Sequence, residues 1–355
     1  MKDIRVGLIG FGTVGSGLAQ TLFEQNERLF RKVGARFVLS RVVDINLPKL
    51  PDQFAGTTLS RDVNDIFNDP DIDIVVELIG GLEPARTFLL EAISHKKHVV
   101  TANKALLSIH GKEIFEAAVK NNVEVGFEAS VGGGIPVIKA LKEGLVANRI
   151  LSIMGIMNGT ANYILTKMTD EDLPFEEALR TAQELGFAEA DPTYDIEGID
   201  TAHKLAISLS LAYGKRVRLE DIYREGIAKT SPLDIEFAGD LGYTIKLLAI
   251  AIRRGGLIEA RIHPTMIPFD HILASVNGNF NAFHLMGDNS GSVFLYGQGA
   301  GMMPTASAVV GDLVDIARDI MAGTWRRVPL RSYKKDQIED IHLLPMDDVV
   351  TNYYF

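Results

Sequence analysis

The chain has 355 residues, 46% of them apolar and 23% charged, with no cysteine and a formal net charge of −10. That length accommodates about two domains with well-buried cores, while the acidic balance argues against nucleic acid or an anionic membrane as the main partner. The missing thiols exclude disulfides, thiolate metal sites and a cysteine nucleophile; no apolar run approaches the ~20 residues that span a bilayer, so a cytoplasmic protein with a small-molecule substrate is expected.

Ile4 to Ile9 reads as a buried strand, followed at once by Gly10-Phe11-Gly12-Thr13-Val14-Gly15 and a helical run from Ser16 to Gln25. Strand, glycine turn and helix in that order suit a dinucleotide. Gly10 makes the tight turn, Gly12 admits the pyrophosphate and Gly15 lets helix pack on strand. The helix N-terminus then offers free N–H groups to phosphate. A second strand, Arg36 to Val43, ends at Asp44, where a carboxylate can accept from the ribose hydroxyls of NAD or simply shape a turn. Arg41 and Lys49 lie close enough in sequence to offer an NADP phosphate a partner.

The alternation continues with strand Asp73 to Leu78, a helix started by Pro84, strand His98 to Thr101, a helix from about Gly111 to Asn121 and strand Val123 to Phe127. This rhythm implies a parallel doubly wound sheet with ligands at the carboxyl ends of its strands. Lys104 sits just past one such end, as a site lysine or a solvated loop lysine. The run Glu128 to Pro136, with three consecutive glycines, reads as a hinge or as a carbonyl-lined nest for an ion.

Beyond it, a mixed α+β domain is expected, with strands at 150–157, 244–252, 257–263 and 292–297. At its centre, Gly186 to Lys204 places five acidic residues and one lysine before the apolar run Leu205 to Tyr213. Asp200 and Lys204 stand four apart and share a helix face, as an ordinary ion pair or as part of a site. A second Gly-x-Gly, Gly299-Ala300-Gly301, precedes a helix that returns to the nucleotide domain.

Taken together, Ala182 to Lys204, Thr101 to Lys104, Glu128 to Pro136, Asn158-Gly159-Thr160 with Asn162-Tyr163-Ile164, and Gly299-Ala300-Gly301 resemble the homoserine dehydrogenases. The resemblance implies reversible NAD(P)-dependent hydride transfer between L-homoserine and L-aspartate 4-semialdehyde, in threonine and methionine biosynthesis. It implies Lys204 as proton donor and Lys104 as a second lysine near nicotinamide and substrate hydroxyl. Glu189 would hold the substrate ammonium, with Asp200 orienting substrate and Lys204. Asp191 and Asp195 stay open between loop structure and support of the site. Phe11, Thr13, Val14, Lys104 and Gly301 would contact the cofactor. Glu128, Val131, Gly133 and Ile135 would hold a structural Na⁺ or K⁺ through backbone carbonyls, and a homodimer or dimer of dimers is expected.

The expected fold class is α/β, a Rossmann-type doubly wound parallel sheet with a second α+β substrate and dimerisation domain. Residues 1–130 and 302–322 would form the first domain and 131–301 the second. Residues 323–355 would be a linker leading to the first strand of an ACT-like regulatory module, at 347–355, in a protein regulated by threonine. Two other readings remain: a related oxidoreductase on another semialdehyde or amino acid, and a nucleotide sensor without chemistry. The sensor would be expected to lose one of the two lysines or Glu189, and all three are present.

Overall fold

The computed structural model describes residues 2–47, 49–324, 327–333, 338–340 and 343–352. The chain forms two compact units, Met1–Ile138 with Ala300–Leu330, and Lys139–Gly299 with Arg331–Phe355. The crossings therefore fall at 138/139, 299/300 and 330/331 rather than at the expected 130/131, 301/302 and 322/323. Local bonds account for the first and the last of these differences. Glu128 accepts the Ile138 N–H at 2.9 Å, and Arg327 pairs with Asp319 at 2.5 Å, so each segment stays with the first unit.

In that unit β1 (Lys2–Ile9), β2 (Ala35–Val43), β3 (Thr58–Ser60), β4 (Ile74–Glu77), β5 (His98–Thr101) and β6 (Val125–Gly126) make one sheet in the order β3-β2-β1-β4-β5-β6. Every pairing is parallel. Two segments of three strands spread from β1 and β4, the doubly wound plan whose strand order reverses between those two. Helices Thr13–Val33 and Met302–Ala322 share one apolar core with the sheet: Leu18 and Leu22 from the first, Val309, Leu313 and Ile316 from the second, against Ile4, Val6 and Leu8. Thus the helix Met302–Ala322 packs in the first unit, to which the Gly-x-Gly before it suggested the chain returns.

His98 shows how this core reacts to acid. It is 5% exposed, its Nδ1 accepts the Glu124 N–H at 3.0 Å, and burial, partly offset by Asp319, pushes its imidazole down to about 4. Between the ordinary value near 6.5 and that value the unfolded chain binds a proton that the fold rejects. Stability is therefore lost as pH falls through this window, by at most about 3 kcal/mol from this residue. His98→Gln is expected to flatten that part of a pH series of denaturant midpoints; an unchanged slope would assign the acid sensitivity elsewhere.

The second unit is built on β7 (Ile150–Ile156), β9 (Tyr223–Arg224), β10 (Tyr243–Arg254), β11 (Leu257–Pro268), β12 (Phe280–Gly287) and β13 (Gly291–Gln298), with β8 (Lys215–Arg216) between β7 and β9 in the chain. The sheet order is β13-β12-β7-β10-β11-β9, antiparallel except where β9 joins β11. Helices Gly159–Glu171 and Ile199–Tyr213 pack on β10. Ile156, Leu248, Ile250, Ile267, Leu273, Val276 and Ala282 form a further apolar core. Strand β12 and helix Pro232–Asp240 were not anticipated. Asn281 and His284 break the apolar reading of β12, although both it and β7 are needed to complete the sheet.

The C-terminal segment departs from expectation. β14 (Glu339–Asp340) runs parallel to β8, Leu343 bridges to Ile258 on β11, and Tyr333 packs over Gly214 and donates its hydroxyl to the Ala212 carbonyl at 3.1 Å. The segment is thus an edge of the second unit rather than a free linker. Asp347 and Asp348 lie in a 3₁₀ turn, Met346–Asp348, and Val349 to Asn352 are not in a strand. Pro345 and two adjacent aspartates favour that turn over a strand start. Tyr353, Tyr354 and Phe355 of the expected strand lie outside the described residues.

Candidate active site

In the first unit the glycine turn has the geometry a phosphate needs. Gly10 adopts φ +98°, which an L side chain rarely does. A Cβ on Gly15 would stand 2.2 Å from the Gly10 carbonyl oxygen, so only glycine lets the helix approach the strand end this closely. A Cβ on Gly12, in contrast, would meet nothing within 4 Å. The helix begins at Thr13, three residues earlier than expected, so Thr13, Val14 and Gly15 form its first turn with N–H groups that lack intrahelical acceptors. No side chain caps this end among the described residues.

Asp44 braces the same turn. Its Oδ2 accepts the Phe11 N–H at 2.8 Å and its Oδ1 accepts the Asn46 N–H at 2.9 Å. Arg41 is paired with Asp69 at 3.1 Å, and Lys49 is exposed. Gly301, at φ +118°, precedes Met302, whose Cγ would lie 2.7 Å from a Cβ on Gly17. Gly301 and the fingerprint are therefore brought together through that contact.

Lys104 is the first residue of helix Lys104–Asn121, not part of a loop before a helix at Gly111. Asn103 makes the difference: its Oδ1 accepts the Leu106 N–H at 3.1 Å and starts the helix seven residues earlier. Glu128, Val131, Gly133 and Ile135 are all buried. Val131 lies in a four-residue helical turn, Ala129–Gly132, which Glu128 precedes and Gly133 ends at φ +58°, with Ile135 just beyond.

In the second unit the acidic stretch resolves into a short helix, Thr193–Ile196, and helix Ile199–Tyr213, which starts from Gly198 at φ +71°. The longer helix is buried on all sides from Asp200 to Leu209. A lysine in such a helix must be partnered, because an isolated buried ammonium is far too costly. Lys204 is 6% exposed, and its Nζ donates to Asp200 Oδ2 at 2.7 Å and to the Met157 carbonyl at 2.6 Å. Acid four residues before base is also the better order on a helix.

Asn158 completes this arrangement. Its Nδ2 donates to Asp200 Oδ2 at 2.9 Å and to Asp195 Oδ1 at 2.7 Å, while its Oδ1 accepts the Ala161 N–H at 2.7 Å and caps helix Gly159–Glu171. One amide thus joins two acidic residues from the loop and the helix that bears Lys204. Sequence reasoning missed this role. The signal was available as an asparagine between a strand and a helix, the preferred N-cap. Asp191 caps its own turn by accepting the Thr193 N–H at 3.1 Å, and stays outside the network. Glu189 is exposed and likewise takes no part in it among the described residues. A cavity of about 640 Å³ elsewhere in this unit, lined by Tyr223, Glu225, Lys229 and His263 among others, contains none of these groups.

Comparison with known proteins agrees with this geometry. A family model described as homoserine dehydrogenase matches residues 136–314, and one described as the NAD-binding domain of homoserine dehydrogenase matches residues 10–128. A homoserine dehydrogenase of Neisseria gonorrhoeae is 46% identical over 354 residues, which cover 100% of this chain and 81% of the relative. The crystal structure of a homoserine dehydrogenase from Thiobacillus denitrificans matches with a TM-score of 0.93 at 50% identity, over 98% of this chain and 81% of the other. A hyperthermophilic archaeal homoserine dehydrogenase in complex with NADPH matches at 27% identity and a TM-score of 0.75, over 88% and 97% of the two chains. Identity at this level along the whole chain, on a sheet and glycine turn suited to a dinucleotide, shows that the chain belongs to the homoserine dehydrogenase family of NAD(P)-dependent oxidoreductases.

Proposed function

We propose that this chain interconverts L-homoserine and L-aspartate 4-semialdehyde by hydride transfer at C4, with Lys204 as the proton-transfer group. The observation that carries the reading is the buried Lys204, held by Asp200 and the Met157 carbonyl. The bound dinucleotide supplies the hydride carrier. When the aldehyde is reduced, the Lys204 ammonium gives its proton to the developing alkoxide. In the oxidation its neutral amine takes the hydroxyl proton. An ammonium beside the reacting oxygen also stabilises its negative charge. Lys104 is the second lysine, on the cofactor side of the chemistry.

Asp200 at the ammonium and Asp195 joined to it through Asn158 give two carboxylates to one ammonium, which favours a substrate that brings an ammonium of its own. Glu189, exposed on the same loop, is the carboxylate proposed to grip the α-ammonium, with Asp200 orienting it. 4-Hydroxybutyrate, which has the alcohol and carboxylate of homoserine but no amine, tests this reading. It is expected to be oxidised at least about 100-fold less efficiently, as loss of a charged contact demands. Equal kcat/KM for the two alcohols would remove the ammonium site from the account.

Phe11, Thr13 and Val14 with Gly10, Gly12, Gly15 and Gly301 are proposed to hold the dinucleotide. Asp44, with Arg41 engaged by Asp69, favours NAD over NADP. The backbone carbonyls of Glu128, Val131, Gly133 and Ile135 are proposed to bind Na⁺ or K⁺, with that of Ile135 also accepting the Val137 N–H at 2.8 Å. Such a cation accepts neutral oxygen donors, and no cluster of three acidic or histidine ligands occurs among the described residues. A melting temperature equal in sodium, potassium and choline chloride would argue against that site. The exposed Phe269, Ile272 and Tyr296 and the outer edge of β13 support a homodimer through the second sheet. Light scattering reads this directly, and a monomeric mass would contradict it.

A further inference from the structure

One cluster at the carboxyl ends of β4 and β5 is used by none of the roles above. Glu77 ends β4 and stands in register with Thr101 at the end of β5, and both are 0% exposed. Glu77 Oε1 accepts the N–H groups of Ile79 at 2.9 Å and Gly80 at 3.0 Å. Its Oε2 accepts the Thr101 hydroxyl at 2.6 Å. The same hydroxyl oxygen accepts the Asn103 N–H at 3.0 Å, and Asn103 Nδ2 donates to the Gly81 carbonyl at 2.6 Å. Asn103 in turn caps the helix that Lys104 begins. One chain of bonds therefore joins the Ile79–Gly81 turn, with Gly80 and Gly81 both at φ +71°, to the residue before Lys104.

The chemistry of the clamp points to its purpose. Both oxygens of Glu77 act as acceptors, Oε1 for two backbone N–H groups and Oε2 for the Thr101 hydroxyl, whereas an amide has a single accepting atom. Among the described residues its donors are all neutral, and a buried carboxylate so held is a costly way to join two strands. The joined elements are the strand ends where a parallel sheet places its ligands.

We propose that Glu77 is a positioning residue of the dehydrogenase site. Through Thr101 and Asn103 it sets where Lys104 begins its helix, and through Ile79 and Gly80 it sets the turn beside it. The inference rests on the reading of Lys104 as a group of the reaction. Lys104→Ala is therefore the control, and unchanged turnover in that variant would remove the reading itself.

The test is Thr101→Val, which keeps the branched shape and removes the hydroxyl, against Thr101→Ser, which restores it. Turnover and reduced-cofactor affinity are measured well below each variant's melting temperature. Thr101→Val is expected to lose about 10- to 100-fold in kcat, the scale of a small misplacement. Its cofactor affinity should change far less, and Thr101→Ser should recover most of the turnover. Undiminished kcat with a lower melting temperature would overturn the proposal and leave a stabilising clamp only. So would equal losses in the valine and serine variants. If Thr101→Val does not fold, Glu77→Gln carries the test. Lost kcat with retained cofactor affinity supports the proposal, and unchanged kcat overturns it.

Discussion

Lys204→Ala is expected to lower turnover by about 10²- to 10⁴-fold, the usual contribution of a positioned acid–base group. Reduced-cofactor affinity should stay within a few-fold, because the glycine turn and Asp44 belong to a separate unit with its own core. The variant also leaves Asp200 buried without its ammonium, which costs about 3–5 kcal/mol of stability when a buried pair is broken from one side. Turnover must therefore be read on folded protein, and Lys204→Ala with Asp200→Asn offers a version without the stranded charge. If the doubly substituted protein folds but remains inactive, stability is not the cause. Turnover within a few-fold of the parent would remove Lys204 from the chemistry. Loss of cofactor binding without a turnover defect at saturation would do the same.

Gly15→Ala is expected to abolish useful dinucleotide binding, with a loss of at least about 100-fold, and to destabilise the first unit by overpacking. Its Cβ would sit 2.2 Å from the Gly10 oxygen and 3.1 Å from the Gly10 carbonyl carbon. Both are backbone atoms, and Gly10 itself is held in the left-handed region, so nothing flexible can yield. Gly12→Ala isolates the other half of the argument. That Cβ meets no protein atom within 4 Å and φ is −76°, so the fold tolerates it. Any lost cofactor affinity there reports the pyrophosphate. A Gly12→Ala protein with parental melting temperature and parental affinity would place the pyrophosphate elsewhere.

The parallel sheet was legible in the sequence because each of its central strands is an apolar run ended by a turn signal. Strand His98 to Thr101 was read to the residue. The start of the following helix was not, because Asn103 looks like a loop residue until its side chain is seen to cap Leu106. Asn158 was obscured for a similar reason. Its place between a strand and a helix was visible, whereas its structural work is to join Asp195 and Asp200 across a gap of about forty residues. Strand β12 was missed because Asn281 and His284 interrupt its apolar pattern. Burial on both sides in the sheet is a tertiary fact that no period-2 reading reveals.

The end of the chain is described only as far as Asn352, and Val349 to Asn352 are not in a strand. Val349, Val350, Tyr353, Tyr354 and Phe355 suggest a strand, yet Leu343 and Tyr333 anchor the segment to β11 and Gly214 before that point. The pairing of Asp200 with Lys204 was visible as an i,i+4 spacing. Its depth was not. The burial of the whole helix and the Met157 carbonyl separate this pair from an ordinary surface ion pair.

The most direct measurement mixes the protein with L-homoserine and either NAD⁺ or NADP⁺ and follows the absorbance of reduced nicotinamide. The account predicts reduction that depends on both homoserine and enzyme, with higher kcat/KM for NAD⁺. No reduction with either dinucleotide, from protein that binds it, would contradict the proposed reaction and favour a nucleotide-binding protein without this chemistry.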